Sequence, residues 1–381
     1  VVEQANLFDD EWPGFAELIK TYLRFTRDID PYKPIINSFD LYLKFFTDLQ
    51  TAFSNNRGAV LSPTIMSTCG VVIPMALKID QKYSKSKMVR TSFISAVVLK
   101  IFNSIRGERA DPSKLASLDA RRDTSKKGII MYISTVLCRL YFRLGQPASC
   151  ANVFSNIHTA KLRLSQFPKS QTVEYRYYLG RFYLYKCQFG KSFIHLSWAF
   201  DNCYTGSNNK RLILKYLIPV SILLGRIPSQ ELLYHYNLHQ PYLPLVNHLK
   251  SGNYRAFTQH VDIAFRDWFL ERELLVMLKY RMSLLVYRSI IYKLLTLTGG
   301  QFNMKFDTIK AGLTAAGVLD DVPWKAEEDT AATDYFIENV CIALVDGGLV
   351  KANVFTRSRV LKFSPKDPIP NLATLNGINN G

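Results

Sequence analysis

The chain has 381 residues, 48% of them hydrophobic and 13% aromatic, which is enough to fill a sizeable core and marks it as globular. Its 48 Lys and Arg outweigh 31 Asp and Glu for a formal charge of +17. The excess is local: residues 129–228 alone carry +11, whereas 1–60 and 301–381 are slightly acidic, a distribution that favours a polyanionic partner.

Apolar and aromatic residues at helical spacing predict two helices across Phe15 to Phe53, broken at Asp30-Pro31 and Lys33-Pro34, where proline removes a helix donor. Helices from Thr64 to Tyr83 and Met88 to Ile105 follow a turn at Asn55 to Gly58. The polar stretch Gly107 to Lys127 reads as a linker. Beyond it, helical hairpins are expected: Gly128 to Leu144 with Ala148 to Leu164, then Val173 to Cys187 with the helix through Phe193, Leu196 and Phe200. Gly180 and Ala199 alternate with large residues, as closely packed antiparallel helices require. Interhelix glycines at 145, 190, 225 and 252 are irregularly spaced, so the array is repetitive in structure and not in sequence. Lys210 to Gly225, Ser229 to Leu238, Pro241 to Lys250, Tyr254 to Leu270 and Glu273 to Leu297 continue it.

After Gly300 the pattern changes to a helix at Phe306 to Ala316, an acidic loop from Asp320 to Asp329, and a second helix at Asp334 to Val345. Gly347-Gly348 stops that helix, and Leu349 to Val354 with Arg359 to Ser364 reads as a two-stranded wing. A mobile tail is expected from Pro365. The expected class is mainly α, an irregular tetratricopeptide-like helical repeat array followed by a C-terminal winged helix. The expected divisions are 1–127, 128–298, 299–366 and a tail at 367–381.

Catalytic motifs are missing. Gly190-Lys191-Ser192 lacks the earlier glycine and the preceding strand of a phosphate loop. His235 and His239, four apart, have no accompanying glutamate of the zincin kind. Between 129 and 228 the carboxylates are Glu174 and Asp201, too few for a paired acid and base. The six cysteines, at 69, 138, 150, 187, 203 and 341, form no CxxC pair and read as buried thiols of a reducing compartment. No apolar stretch reaches the ~20 residues of a spanning helix, so no membrane span is expected; with the motifs above missing, neither is a metal, a cofactor or enzymatic activity.

Several stretches together, Val173 to Leu184, Leu140 to Leu144, Arg211 to Val220, Glu338 to Asn353, Tyr22 to Pro31 and Ile101 to Ile105, resemble PCI-domain proteins. Within the family they look most like the PCI subunit of the nuclear-pore-associated transcription and mRNA export complex, the second TREX complex. The resemblance implies a PCI fold, a second and larger PCI protein as scaffold, a small acidic Sem-type peptide, and RNA or DNA binding with little sequence preference, in the nucleus near the pore. A paralogous, signalosome-related subunit linked to splicing is similar enough to stand as the alternative.

Asp334, Glu338 and Asp346 make the second cap helix repellent to phosphate, which disfavours groove reading. The wing gathers Lys351, Arg357, Arg359, Lys362 and Lys366, and the helix before the cap adds Arg288 and Lys293, all expected to contact phosphates in a salt-dependent manner. For the array, an acidic extended peptide is expected on Lys210, Arg211, Lys215 and Arg226.

Overall fold

A computed structural model describes residues 11–30, 32–83, 87–108, 125–160, 162–324 and 329–375. Most of the expected linker, part of the acidic loop and the end of the tail lie outside that set. Two compact units emerge: Val1–Gln188 with Ile194–Ser207, and Phe189–Phe193 with Asn208–Gly381.

The first unit is built from α1 (Pro13–Asp28), α2 (Ile35–Phe53), α3 (Ser62–Tyr83), α4 (Val89–Gly107), α5 (Ile130–Arg143), α6 (Cys150–Thr159), α7 (Lys169–Tyr185) and most of α8 (Phe189–Asn202). One continuous apolar core runs from Trp12 through Phe39, Phe46, Ile65, Ile101 and Leu137 to Phe182. The Trp12 indole donates to the Ala52 carbonyl at 2.9 Å and fixes the start of α1 against the end of α2. Asp80, fully buried on α3, accepts from the Thr91 backbone N–H and hydroxyl at 2.8 Å each, and so caps α4 from a neighbouring helix.

With the short turn before it, α3 spans Asn56–Tyr83 and is, by length and composition, apolar enough to cross a membrane, which the sequence reading did not expect of any segment. Its Ile65, Cys69, Val72, Ile73, Ala76 and Ile79 are buried in the protein core, where an apolar helix of this kind belongs in a globular unit. Gly180 performs the expected close approach: a Cβ there would lie 2.6 Å from the Leu196 side chain on α8.

The second unit continues with α9 (Asn209–Leu223), α10 (Gln230–His235), α11 (His239–Ser251), α12 (Tyr254–Gln259), α13 (Arg266–Leu270), α14 (Leu275–Met277) and α15 (Ser283–Leu297). The two long helices expected here are interrupted by π-helical turns at His260–Ala264 and Leu278–Met282, joined by an ion pair between Lys279 and Asp262 at 2.8 Å. Of the expected interhelix glycines, 145, 225 and 252 lie at helix ends with positive φ, but at the fourth position the left-handed residue is Cys187 (φ 55), and Gly190 lies inside α8. Cys187 is also exposed, a correction to its reading as a buried thiol; the other five cysteines are buried.

The cap is a winged helix: β1 (Asn303–Lys305), α16 (Phe306–Ala315), α17 (Thr330–Asp346), β2 (Ala352–Phe355) and β3 (Val360–Phe363). Its sheet has three antiparallel strands in the order β1-β3-β2, one more than the wing expected from sequence. Asp329 caps α17 through the Ala332 N–H, at 2.9 Å. Arg255 at the start of α12 holds the end of α16, donating its N–H to the Ala316 carbonyl at 3.0 Å and its guanidinium to Asp320.

The tail expected to be mobile from Pro365 is instead tied down as far as it is described. The Pro368 carbonyl accepts from Lys351 N–H at 2.8 Å, and the Pro370 carbonyl accepts from the Arg288 guanidinium at 2.8 Å. A short turn, α18 (Leu372–Leu375), then lies against Gly225, where any Cβ would come within 2.5 Å of Leu372.

Candidate nucleic-acid and partner surfaces

The pleat of the cap sheet sorts its residues into two faces. Met304, Leu361 and Phe363 are buried beneath it, while Asn303 and Lys305 on β1, Lys362 on β3, and Asn353 and Phe355 on β2 are exposed on the other side. The register places Asn303, Lys362 and Asn353 in one row and Lys305, Val360 and Phe355 in the next. Lys305 and Phe355 were missed from sequence: a three-residue strand such as β1 carries no readable alternation, and Phe355 ends β2 one residue beyond where the wing strand was expected to stop.

The cations expected to grip phosphate are not equivalent. Arg357, at the tip of the hairpin, and Lys362 are exposed, with no ion pair among the described residues. Arg359, with φ 51, turns back to bridge Asp307 at 3.1 Å and Asp334 at 2.7 Å, locking the hairpin to α16 and α17. Lys351 pairs with Asp367 at 3.0 Å, and Lys366 is exposed beside it. Arg288 donates to the Leu349 and Pro370 carbonyls, and burial pulls its guanidinium below its ordinary range. Lys293 donates to the Ser251 carbonyl at 2.6 Å. The structure therefore brings Arg357, Lys362 and Lys305 to one open end, and uses Arg288, Lys293 and Arg359 to hold the fold together.

Much of the positive charge of the array is laid on aromatic rings. Arg176 sits over Trp198 at 4.4 Å, Arg181 over Phe142 at 4.0 Å and Arg226 over Phe193 at 4.8 Å, while Arg139 pairs with Glu174. Lys210, expected to meet an acidic peptide, is 8% exposed and faces inward, a correction that follows from its place on the buried face of α9 with Ile213, Leu214 and Leu217. Arg211 is exposed and donates to the Asn237 carbonyl at 3.3 Å. Burial first, then the neighbouring Arg272 and Arg211, lower the Lys215 ammonium. Glu271, which pairs with Arg272 at 3.2 Å, offsets part of that field, so the spot formed by these groups on the second unit is only partly positive.

His195 on α8 stacks on Tyr183 at 5.4 Å, and burial together with nearby Arg176 pulls its imidazole down to about 4. Its unfolded value is about 6.5, so the folded chain resists protonation that the unfolded chain accepts. Stability should therefore fall as pH drops from about 6.5 towards 4, and His195→Gln should flatten that acid limb in pH-dependent melts. An identical limb in the variant would contradict this assignment.

His235 ends α10 and His239 begins α11, so they share no helix face, and His239 stacks on Tyr234 at 4.5 Å. Gly190-Lys191-Ser192 lies in the first turn of α8. Among the described residues no three His, Cys, Asp or Glu side chains gather where a metal ion could be held.

No family model matches the chain. A PCI domain-containing protein of Schizosaccharomyces pombe is 28% identical to it, over 93% of this chain and 79% of that protein. Its relatives are PCI-domain proteins. The nuclear mRNA export protein THP1 of Saccharomyces cerevisiae is 26% identical over 93% of the chain and 83% of its own length. A protein CSN12 homolog of Schizosaccharomyces pombe is 28% identical over 65% of the chain and 56% of its own length. The helical array and its winged-helix cap are the PCI architecture, so the similarity and the fold agree.

Proposed function

We propose that the chain is a non-enzymatic scaffold and nucleic-acid-binding subunit of a nuclear complex that couples transcription to mRNA export. It pairs with a larger PCI protein and a small acidic peptide. The similarity to the nuclear mRNA export protein THP1, spanning most of both chains, carries this reading. Lys305, Arg357 and Lys362, exposed at one end of the cap, supply the phosphate contacts, and Lys366 extends them. Helix α17 holds no Lys or Arg and carries Asp334, Glu338 and Asp346, so duplex grooves are not read by it. The acidic peptide is assigned to Arg211 and Lys215, which lie close enough to repel each other, with Arg272 beside them already paired to Glu271.

A salt titration of RNA binding by the assembled complex tests this. Combined Lys305→Glu, Arg357→Glu and Lys362→Glu should weaken binding and reduce the log–log salt slope by about 2, three phosphate contacts at ~0.7 each. An unchanged slope removes the cap from the binding surface.

The second reading is a PCI scaffold of a signalosome-related complex without direct RNA binding. The CSN12 homolog supports it, as does the internal pairing of Arg288, Arg359 and Lys351. Such a subunit would assemble with its partners and show no salt-sensitive RNA binding.

A further inference from the structure

We propose that the open face of the cap sheet is a stacking platform selective for single-stranded nucleic acid, with Phe355 taking a base and Lys305 and Lys362 the flanking phosphates. The inference rests on the nucleic-acid reading above and adds the strand preference and the residue that produces it.

Phe355 is 47% exposed although it is a large apolar residue in a strand, and its ring lies on the solvent side of the sheet. It is paired with Val360, whose other neighbour is Lys305, so ring and ammonium flank one small apolar residue in the same row. Lys362, two residues further along β3, is diagonal to both, at about 7–8 Å in an antiparallel ladder. Asn303 and Asn353 flank Lys362 and add amide donors and acceptors. No carboxylate belongs to these six positions, so the face attracts phosphate.

A paired base inside a duplex has no free face for Phe355, whereas an unstacked base offers one, and ring stacking tolerates any base. The neighbouring helix α17 supplies no cation to hold a second strand. A single strand laid across the sheet thus satisfies the ring, the ammonium groups and the amides together. Sugar chemistry is not read by such a platform, so RNA and DNA single strands should both bind.

Fluorescence anisotropy with the full chain, using a 12-nucleotide pyrimidine RNA, its DNA counterpart and a duplex of the same length, tests the proposal. Phe355→Ala should weaken both single strands about tenfold, leave duplex binding and the salt slope unchanged, and keep the wild-type melting temperature; Phe355→Tyr should restore affinity. Lys305→Glu with Lys362→Glu should weaken every ligand and flatten the slope. If Phe355→Ala binds single strands as the wild type does while the lysine variant fails, the platform is overturned and the nucleic-acid reading stands. If the lysine variant also binds as the wild type does, the platform is overturned and the cap is removed from the binding surface. Loss of a co-purifying protein partner from Phe355→Ala, with RNA binding intact, would make the face a protein contact and overturn the platform equally.

Discussion

Asp80→Ala should lower the stability of the first unit by about 3 kcal/mol, because it removes the acceptor from a fully buried cluster and leaves the donors behind. The carboxylate takes the Thr91 N–H and hydroxyl at 2.8 Å, and the Arg90 guanidinium stands 3.7 Å away. Alanine strands the Thr91 groups where water does not reach, at the start of a helix whose own preceding residue, Met88, offers no capping side chain. For a unit of this size the loss corresponds to a fall in melting temperature of roughly 9 °C. Asp80→Asn keeps the shape and one acceptor and should lose about half as much. A thermal melt of Asp80→Ala that matches the wild type would show that α4 is held by its apolar face alone.

Gly58→Ala should cost about as much for a different reason. A Cβ at that position would stand 2.2 Å from the Phe53 carbonyl oxygen and 2.7 Å from its carbon, backbone atoms that cannot swing aside as a side chain can. The turn is pinned from outside as well, since the Lys126 ammonium donates to the Asn55 carbonyl at 2.7 Å and lies over the Phe53 ring at 5.0 Å. Relief must come from separating α2 from α3, and about 3 kcal/mol is the expected penalty, at the upper end for overpacking. Gly70→Ala is the matching control: it is exposed on α3, its Cβ would meet nothing within 4 Å, and helix propensity alone should stabilise the unit by about 0.5–1 kcal/mol. Denaturant unfolding of the two variants should move the midpoint in opposite directions; a shift of the same sign would refute the turn argument.

The sequence disclosed what repeats over many residues. The helices α5, α6, α7, α8 and α9, the Gly180 crossing and the two cap helices all announce themselves through apolar periodicity and helix-ending residues, and they lie where that reading put them. Short elements were silent. Strand β1 is three residues long, and the π-helical turns at His260 and Leu278 preserve the local apolar pattern while shifting its phase, so long helices were the natural reading there. The candidate site failed in the same manner. Charge can be counted along a chain, but whether a cation is free or engaged depends on residues far away: Arg359 answers to Asp307 and Asp334, and Arg288 to carbonyls of Leu349 and Pro370. Lys210, counted as a surface cation, starts a helix on its inward side.

Where the polypeptide can be shortened follows from the path of its last described residues. Ending it after Ser364 would preserve every strand and helix of the cap, yet the Arg288 guanidinium, already partly stripped of water, would lose the Pro370 oxygen, and Lys351 its Asp367. The bend at Gly225 would lose its Leu372 cover as well. A version that keeps these contacts therefore runs past the wing at least through Leu372, and a label or fusion placed any earlier would interrupt a seam that looks, from the primary structure, like spare chain.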